Sequence, residues 1–299
     1  MSHKSAWKEF HGKDPIWCPG CGDFGVLRAM QQAAAGLELD PAQTVLATGI
    51  GCSGNITSSF KTYGFHGIHG RVLPAATGIK LTNPGLTVLA AGGDGDGFGI
   101  GLGHFMHAAR RNVDMTYIVM DNQVYGLTKG QTSPTTDAAM TTKASPLGPM
   151  AEPVHPLELA MAAGASFVAQ GFAGDQKALV SLIERGIRHR GFALINVQSP
   201  CVTYNQLNTY AWFKEHIVDL AAEGHDPADR MAAITVAHER SRVPMGVLFE
   251  ERRATLEDHL RWRPPMAVPD PVATAASPGR ALDAAAGRFQ AWQDAFRAR

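Results

Sequence analysis

Short apolar runs alternate with amphipathic segments along the first two thirds of the chain. The runs are typical of buried strands and span residues 44–49, 86–91, 115–120, 167–169 and 192–198. Segments with apolar positions at helical spacing lie between them, at residues 21–36, 75–80, 158–164 and 176–190. Strands that alternate with helices predict an α/β fold, a doubly wound and mostly parallel sheet covered on both faces.

The pattern changes after residue 201. Residues 203–215 mix aromatic and polar side chains, as in an interface or a cover over a site, and residues 226–262 alternate charged and apolar positions. Within them, residues 245–252 suggest a surface segment ahead of a helix. Residues 264–278 hold five of the 18 prolines and predict a linker, and residues 281–298 have apolar positions at helical spacing. We expect one domain of residues 1–215 and a helical or irregular extension of residues 216–299 that makes contacts between subunits.

Composition narrows the function classes. Lys+Arg and Asp+Glu both number 27, so no overall charge favours nucleic acid or a membrane surface. No run of 18 apolar residues is present, and the polar first 15 residues lack the apolar core of a signal peptide. We therefore expect a cytoplasmic protein with a large core and no membrane or nucleic-acid partner.

A glycine-rich turn, residues 92–99, carries Asp94 and Asp96 directly after one predicted strand, and Asp121 and Asn122 end the next. The carboxyl ends of parallel strands face one crevice, and carboxylate and amide oxygens suit Mg²⁺, which bridges phosphate oxygens. The sequence therefore predicts a metal-diphosphate site. The alternative is a dinucleotide fold, because the glycine spacing partly mimics that fingerprint and Asp121 could serve as its ribose-binding acid. Two carboxylates disfavour it, because they would repel a pyrophosphate bound by bare backbone N–H groups.

The four cysteines are Cys18 and Cys21, which form a C-x-x-C pair, and the two distant residues Cys52 and Cys201. Disulfides are rare in a cytoplasmic protein, so this pattern indicates a metal site or a redox dithiol. An iron–sulfur cluster, a zinc ion, or a thioredoxin-like pair with two unligated thiols all remain compatible with the spacing.

Several motifs together carry a family resemblance. Gly93-Asp94-Gly95, 25 intervening residues and Asp121-Asn122 resemble the motif of thiamine diphosphate enzymes. The wider set resembles the β subunit of 2-oxoacid:ferredoxin oxidoreductases over about residues 12–215: CPGCG at 18–22, TGIGCSG at 48–54, HGIHGRVLPAATGIKL at 66–81, DNQVYGLTKGQTSPTT at 121–136 and SPC at 199–201.

This resemblance implies a thiamine diphosphate-binding fold and assigns its site residues. Mg²⁺ is expected on the side chains of Asp94 and Asn122 and the carbonyl of Val124, and one 4Fe-4S cluster on Cys18, Cys21, Cys52 and Cys201. His69 is expected to be catalytic, touching cofactor or substrate, and His66 is a weaker candidate in the same segment. The other expected cofactor contacts are Gly51, Ser53, Gly93, Gly95, Asp96, Leu127 and Thr128, with Lys129 and Gln131 as further candidates near the diphosphate. Asp96 could instead only hydrogen-bond its loop, and Lys80 could be a salt-bridged surface residue.

The implied reaction is oxidative decarboxylation of a 2-oxoacid to an acyl-CoA and CO₂, with electrons passed through the cluster to ferredoxin. We favour 2-oxoglutarate over pyruvate, although Asn55 stands where some relatives carry a basic residue. Thiamine catalysis needs a carboxylate on the aminopyrimidine, yet residues 41–151 contain no Glu. The resemblance places that Glu, and a substrate-binding Arg, in an α subunit, so we expect an α₂β₂ assembly and no activity without the α subunit.

The alternative function is a zinc- or thiol-containing nucleotide-binding protein without redox chemistry. A non-oxidative thiamine decarboxylase would have no use for four cysteines.

Overall fold

A single eight-stranded sheet organises the computed structural model, which describes residues 6–260. The strands of this part of the chain are β1 (Thr44–Thr48), β2 (Tyr63–His66), β3 (Thr87–Gly93), β4 (Met115–Asp121), β5 (Val124–Tyr125), β6 (Gln131–Thr132), β7 (Phe167–Phe172), β8 (Phe192–Gln198), β9 (Ile217–Asp219) and β10 (Val243–Glu250). The sheet order is β2-β1-β3-β4-β8-β7-β10-β9, and β5 and β6 form a separate antiparallel hairpin. The first six strands of the sheet run parallel, and β10 pairs antiparallel with β7.

Helices cover both faces of this sheet. They are α1 (Asp23–Gly36), α2 (Ile56–Ser59), α3 (Val72–Thr82), α4 (Leu102–Arg111), α5 (Pro156–Ala163), α6 (Gln176–Arg188), α7 (Tyr210–His216), α8 (Arg230–His238) and α9 (Leu256–Leu260). Along β4, Tyr117 and Val119 join one buried cluster with α3, α4, α5 and α8, whereas Ile118 and Met120 join another with α1 and α6. A strand buried on both faces has no polar alternation, which explains its continuous apolar run.

The doubly wound, mostly parallel sheet predicted from the sequence is confirmed. Each of the five predicted strands is present, and β8 has the predicted bounds. The predicted helices are also present as α1, α3, α5 and α6. No helix among residues 6–260 is long and apolar enough to cross a membrane. The cytoplasmic location stays a prediction.

The sequence reading was wrong for residues 245–252, which it assigned to the surface. Most of them belong to β10, where Leu248 and Phe249 are buried against β7 and its neighbouring helices. The strands β9 and β10 extend the same sheet beyond residue 215, and the predicted domain boundary after that residue stays a prediction. The predicted linker and the helix at residues 281–298 lie outside the described residues, and the role of residues 216–299 in contacts between subunits stays a prediction.

The sheet changes winding direction between β1 and β3. The chain leaves β1 toward β2 on one side, and leaves β3 toward β4 on the other side. Ligands of open α/β sheets bind at such a switch point, outside the carboxyl ends of the strands. The loops that follow β1 and β3 begin with Gly49 and Asp94, so the glycine-rich motifs meet at this edge.

Candidate active site

A cavity of about 520 Å³ opens at the carboxyl ends of β1, β3 and β4. Its walls come from the loops after these three strands and from His69 in the segment between β2 and α3. Except for Lys129, the residues predicted for the diphosphate and its metal line it, namely Gly51, Ser53, His69, Gly93, Asp94, Gly95, Asp96, Asn122, Val124, Leu127, Thr128 and Gln131. The structure thus brings these residues together, and their individual roles stay predictions.

Asp94 and Asp121 are both buried at this edge of the sheet, 2% and 3% exposed. The hydroxyl of Thr135 lies 2.7 Å from Oδ2 of Asp94 and 2.9 Å from Oδ1 of Asp121. Burial raises the pKa of Asp94, and burial together with the neighbouring charge of Asp94 raises the pKa of Asp121 to about 7. Buried carboxylates of this kind are stabilised as anions by a nearby cation, as a bound divalent ion would provide.

The Asn122–Val124 segment turns back toward the cavity. Oδ1 of Asn122 accepts the backbone N–H of Val124 at 3.1 Å, and Gln123 between them has a φ of 59°. A left-handed conformation is uncommon for a residue with a side chain and concentrates at functional sites. Oxygens from one carboxylate, one amide and one carbonyl fit Mg²⁺, which usually keeps several waters and phosphate oxygens as its other ligands.

The side chain of Asp96 connects its own loop with the loop after β1 and with the segment between β2 and α3. Its Oδ1 accepts backbone N–H groups of Ile50 at 2.9 Å and of Gly70 at 2.8 Å, and lies 3.3 Å from Nδ1 of His69. Its other oxygen is buried without a hydrogen-bond partner in the described part of the chain. A Cβ on Gly49 would stand 2.2 Å from the same carboxylate, so a glycine is required at the end of β1. Asp96 therefore holds the loops of the cavity wall in place, and its side chain also lines the cavity.

All four cysteines line a second cavity of about 230 Å³. The C-x-x-C pair reaches it through a tight turn, in which Gly20 has a φ of +85° and the N–H of Cys21 donates to the carbonyl of Cys18. A Cβ on Gly22 would lie 2.5–2.8 Å from Ser199 and Pro200. Glycine at that position therefore lets the turn pack directly against the segment that carries Cys201.

The cysteine cavity leaves space between two of its thiols. A Cβ on Gly126 would lie 3.4 Å from Sγ of Cys52 and 3.7 Å from Sγ of Cys201, so a glycine keeps the space between them open. Burial raises the pKa of Cys21, and it raises that of Cys52 to about 11. Burial therefore favours the neutral thiol at Cys21 and Cys52, and a bound metal centre would compensate the charge of their thiolates.

The two cavities share a wall formed by Cys52, Asn122, Gly126 and Leu127. The indole N–H of Trp17 donates to the carbonyl of Cys52 at 2.7 Å, which fixes the cysteine-bearing N-terminal segment against this wall. A group held by the cysteines and a group held in the larger cavity would therefore be immediate neighbours.

Other sequence candidates lie elsewhere. Lys80 is buried, and its Nζ lies 2.7 Å from Oδ2 of Asp114, so it forms an interior ion pair rather than a surface one. His66 ends β2 and does not line the larger cavity, whereas Gln131 does. Asn55 and Lys129 line the cysteine cavity.

Sequence reasoning missed two buried polar residues of the site, Thr135 and Asp23. Asp23 begins α1 two residues after Cys21, and its Oδ1 accepts the hydroxyl of Ser199 at 2.7 Å. Burial raises its pKa to about 6. The only sequence signal for these two residues was that they lie within the CPGCGD and SPTT motifs.

Comparisons with known proteins agree with this geometry. Residues 42–197 match the C-terminal TPP-binding domain of thiamine pyrophosphate enzymes, and residues 201–262 match the C-terminal region of the pyruvate ferredoxin oxidoreductase β subunit. The chain is 43% identical over 271 residues to subunit β of 2-oxoacid:ferredoxin oxidoreductase 2 of Aeropyrum pernix, covering 86% of this chain and 87% of that one. It is 40% identical over 209 residues to 2-oxoglutarate oxidoreductase subunit KorB of Mycobacterium tuberculosis, covering 70% of this chain and 56% of that one.

A solved structure gives the same result. The 2-oxoglutarate:ferredoxin oxidoreductase from Magnetococcus marinus, determined with 2-oxoglutarate, coenzyme A and succinyl-CoA bound, matches with a TM-score of 0.83 and 40% identity. The match covers 87% of this chain and 89% of that one.

Proposed function

Since the chain belongs to the β subunits of 2-oxoacid:ferredoxin oxidoreductases, we propose that it oxidatively decarboxylates 2-oxoglutarate to an acyl-CoA and CO₂, with ferredoxin as the electron acceptor. Thiamine diphosphate, which its family domain binds, would occupy the larger cavity with Mg²⁺. A 4Fe-4S cluster would occupy the cysteine cavity. The alternative of a zinc- or thiol-containing nucleotide-binding protein has no support among the relatives.

The observation that carries this proposal is the shared wall between the two cavities. Oxidative decarboxylation releases two electrons, which a one-electron carrier must remove singly, so the electron acceptor has to lie next to the reacting centre. Cys52 belongs to both cavities, and the chain needs no movement to bring the two sites together.

The residues that line the two cavities fit thiamine diphosphate with Mg²⁺ in the larger cavity and a 4Fe-4S cluster in the cysteine cavity. Asp94, Asn122 and the carbonyl of Val124 would hold Mg²⁺, and the loops at Gly51–Ser53 and Gly93–Gly95 would approach the diphosphate closely because glycine has no side chain. Leu127 and Thr128 would close the wall beside them. When bound, thiamine diphosphate supplies the carbon nucleophile and electron sink for decarboxylation, and a 4Fe-4S cluster accepts the electrons.

His69 is the proposed catalytic residue of this chain. Its Nδ1 lies 3.3 Å from Oδ1 of Asp96, so this carboxylate stands beside the ring and would orient it in the cavity wall. The other ring nitrogen is then available to a substrate or cofactor in the cavity. This orientation gives Asp96 a second function beyond its loop contacts.

A partner subunit has to complete the site. The residues that line the larger cavity include no Glu, Lys or Arg. Its two carboxylates, Asp94 and Asp96, are assigned here to Mg²⁺ and to the backbone N–H groups of neighbouring loops, so the Glu for the aminopyrimidine and a strong cation for the substrate carboxylates would come from elsewhere. We assign both to an α subunit, in an α₂β₂ assembly. Coenzyme A would be the acyl acceptor.

The test is a substrate panel on the enzyme assembled with its α partner. Initial rates of ferredoxin reduction with 2-oxoglutarate, pyruvate and 2-oxobutyrate are compared at equal concentration with coenzyme A present. We expect the highest kcat/KM for 2-oxoglutarate. A higher value for pyruvate would overturn the substrate assignment, and ferredoxin reduction without any 2-oxoacid dependence would overturn the reaction.

A further inference from the structure

The hydroxyl of Thr135 stands between two buried carboxylates that come from different strands. It lies 2.7 Å from Asp94, which follows β3, and 2.9 Å from Asp121, which ends β4. Thr135 is itself 6% exposed. One hydroxyl has one proton to donate, so at any moment it donates to only one of the two carboxylates, although both lie within hydrogen-bond distance.

The backbone around Thr135 is fixed by a turn. The N–H of Ser133 donates to the hydroxyl of Thr136 at 2.7 Å, and that hydroxyl donates to the carbonyl of Gln123 at 2.7 Å. The N–H of Val154 donates to the carbonyl of Pro134 at 2.8 Å. Proline also restricts its own φ angle. The turn therefore fixes the position of Thr135 through contacts with Gln123 and Val154.

Asp121 is fixed from its other side by a row of amide side chains. Its Oδ2 accepts Nδ2 of Asn196 at 3.1 Å, and the same nitrogen lies 3.2 Å from Oε1 of Gln170. Nε2 of Gln170 donates to the carbonyl of Pro244 in β10 at 2.9 Å. The carbonyl of Pro244 can only accept a hydrogen bond, so the NH₂ group of Gln170 faces it. The side-chain oxygen of Gln170 then faces Asn196, and the NH₂ group of Asn196 faces Asp121. The row links the carboxylate to the C-terminal strand of the sheet.

We propose that Thr135 is a positioning residue for the metal-binding carboxylate of Asp94. Its hydroxyl holds Oδ2 of Asp94 in the orientation that Mg²⁺ requires, against a frame set by the Ser133–Thr136 turn and by Asp121. This inference rests on the proposed Mg²⁺ site. Outer contacts of this kind orient metal ligands, and their removal typically costs about 10–100-fold in metal affinity.

The experiment compares Thr135→Val, which keeps the side-chain shape and loses the hydroxyl, with Thr135→Ser, which keeps the hydroxyl. Thr116→Val is the matched control, since Thr116 is buried on β4 five residues before Asp121. The full-length chain, assembled with its α partner and stripped of cofactor with EDTA, is titrated with Mg²⁺ at a fixed thiamine diphosphate concentration. Bound cofactor is measured by equilibrium dialysis and thiochrome fluorescence, and the fold by thermal unfolding.

We expect Thr135→Val to weaken the apparent Mg²⁺ affinity by about 10–100-fold, with Thr135→Ser and Thr116→Val close to the unaltered protein. Unchanged affinity in Thr135→Val would overturn the proposal. An equal loss in Thr135→Val and Thr116→Val, with a lowered unfolding temperature in both, would also overturn it, because packing would then be the cause. Asp94→Ala tests the proposed metal site separately from the role of Thr135. If that variant keeps full Mg²⁺-dependent binding of thiamine diphosphate, the proposed metal site itself is wrong.

Discussion

Asp94 and Asp96 are two positions apart, yet their surroundings differ. Asp94 is bonded to a threonine hydroxyl and lines the cavity, whereas one oxygen of Asp96 accepts two backbone N–H groups. The first carboxylate is the proposed Mg²⁺ ligand, and the second holds loops in place. Substitutions of the two should therefore have different effects.

Asp94→Ala should abolish binding of thiamine diphosphate and leave the fold intact. Mg²⁺ needs this anionic ligand to tether the diphosphate, and the apo protein loses only a buried carboxylate whose charged form burial disfavours. Cofactor content is measured by thiochrome fluorescence after extraction, together with the thermal unfolding temperature. Full cofactor retention would contradict the assignment.

Asp96→Ala provides the comparison. It leaves the N–H groups of Ile50 and Gly70 without their acceptor, and each unsatisfied buried group costs about 1–3 kcal/mol. The unfolding free energy in urea should fall for this variant and not for Asp94→Ala. Equal stability of Asp96→Ala and the unaltered protein would show that solvent replaces these bonds.

Replacing any one of the four cysteines by serine should remove or degrade the cluster, because an uncharged hydroxyl is a poor substitute for a thiolate ligand of iron. Iron per chain and the reduced-state EPR signal are measured on anaerobically purified protein. If Cys201→Ser kept four irons and an unchanged signal, Cys201 would not be a ligand. The chain has no fifth cysteine, so no other thiol can take its place.

The sequence identified these residues because each carries recognisable chemistry in a glycine-rich motif. Asp94 and Asn122 follow buried strands, and the cysteines are few. Thr135 carries no such signal, since a small polar residue in a loop is ordinarily a turn residue. Its position between two carboxylates depends on chain segments 41 and 14 residues away, which only the folded structure brings together.

At the level of elements, Gly22 connects the C-x-x-C turn to the end of β8. Gly22→Ala should lower both stability and cluster content, because the new Cβ would lie 2.5–2.8 Å from Ser199 and Pro200 and push Cys21 away from Cys201. Gly103→Ala in α4 is the matched control, since a Cβ there meets nothing within 4 Å. Helix propensity predicts that it stabilises by about 0.5–1 kcal/mol. Full iron content in Gly22→Ala would show that the turn adjusts without moving the thiols.

A second element-scale prediction concerns pH. His189 follows α6 and is buried, with Nε2 2.7 Å from the hydroxyl of Ser166. Burial lowers its pKa below the ordinary 6.5, although Glu250 partly opposes this. A histidine with a lowered folded-state pKa contributes stability above pH 6.5 and loses it as the pH falls through that lower value. The unfolding free energy should therefore decrease on acidification, by up to about 1.4 kcal/mol for each unit of pKa difference.

His189→Gln isolates this contribution. Urea unfolding at pH 7 and at lower pH should show a smaller acid-induced loss in this variant than in the unaltered protein. His238→Gln, at a histidine whose side chain is 81% exposed, should keep the full loss. Identical pH dependence in His189→Gln and the unaltered protein would show that other groups cause the acid sensitivity.

The central strands could be predicted because they are continuous apolar runs buried on both faces. The edge strand β2 was missed because all four of its residues are exposed, so its sequence shows no burial pattern. The strand β10 was missed for a different reason. Pro244 and Gly246 are weak strand formers, and charged residues follow Glu250, so the burial of Leu248 is only apparent once β7 lies beside it.

At the level of the whole molecule, activity should depend on a second subunit. This chain with its cluster should show little 2-oxoacid-dependent reduction of methyl viologen until the α subunit is added. General acid–base groups contribute about 10²–10⁴-fold, and the larger cavity is lined by no Glu from the described residues. Rates are compared with and without the partner, in a preparation shown by mass spectrometry to be free of it. Comparable rates from this chain alone would mean that it supplies the carboxylate itself.

The positions of the cysteines along the chain also determine when all four thiols are present during synthesis. Three of them belong to the first 52 residues, and the fourth is residue 201 of 299, directly beyond β8. A nascent chain on the ribosome therefore exposes three thiols long before the fourth exists. The proposed cluster, with all four cysteines as ligands, would therefore be completed only after β8 has been synthesised.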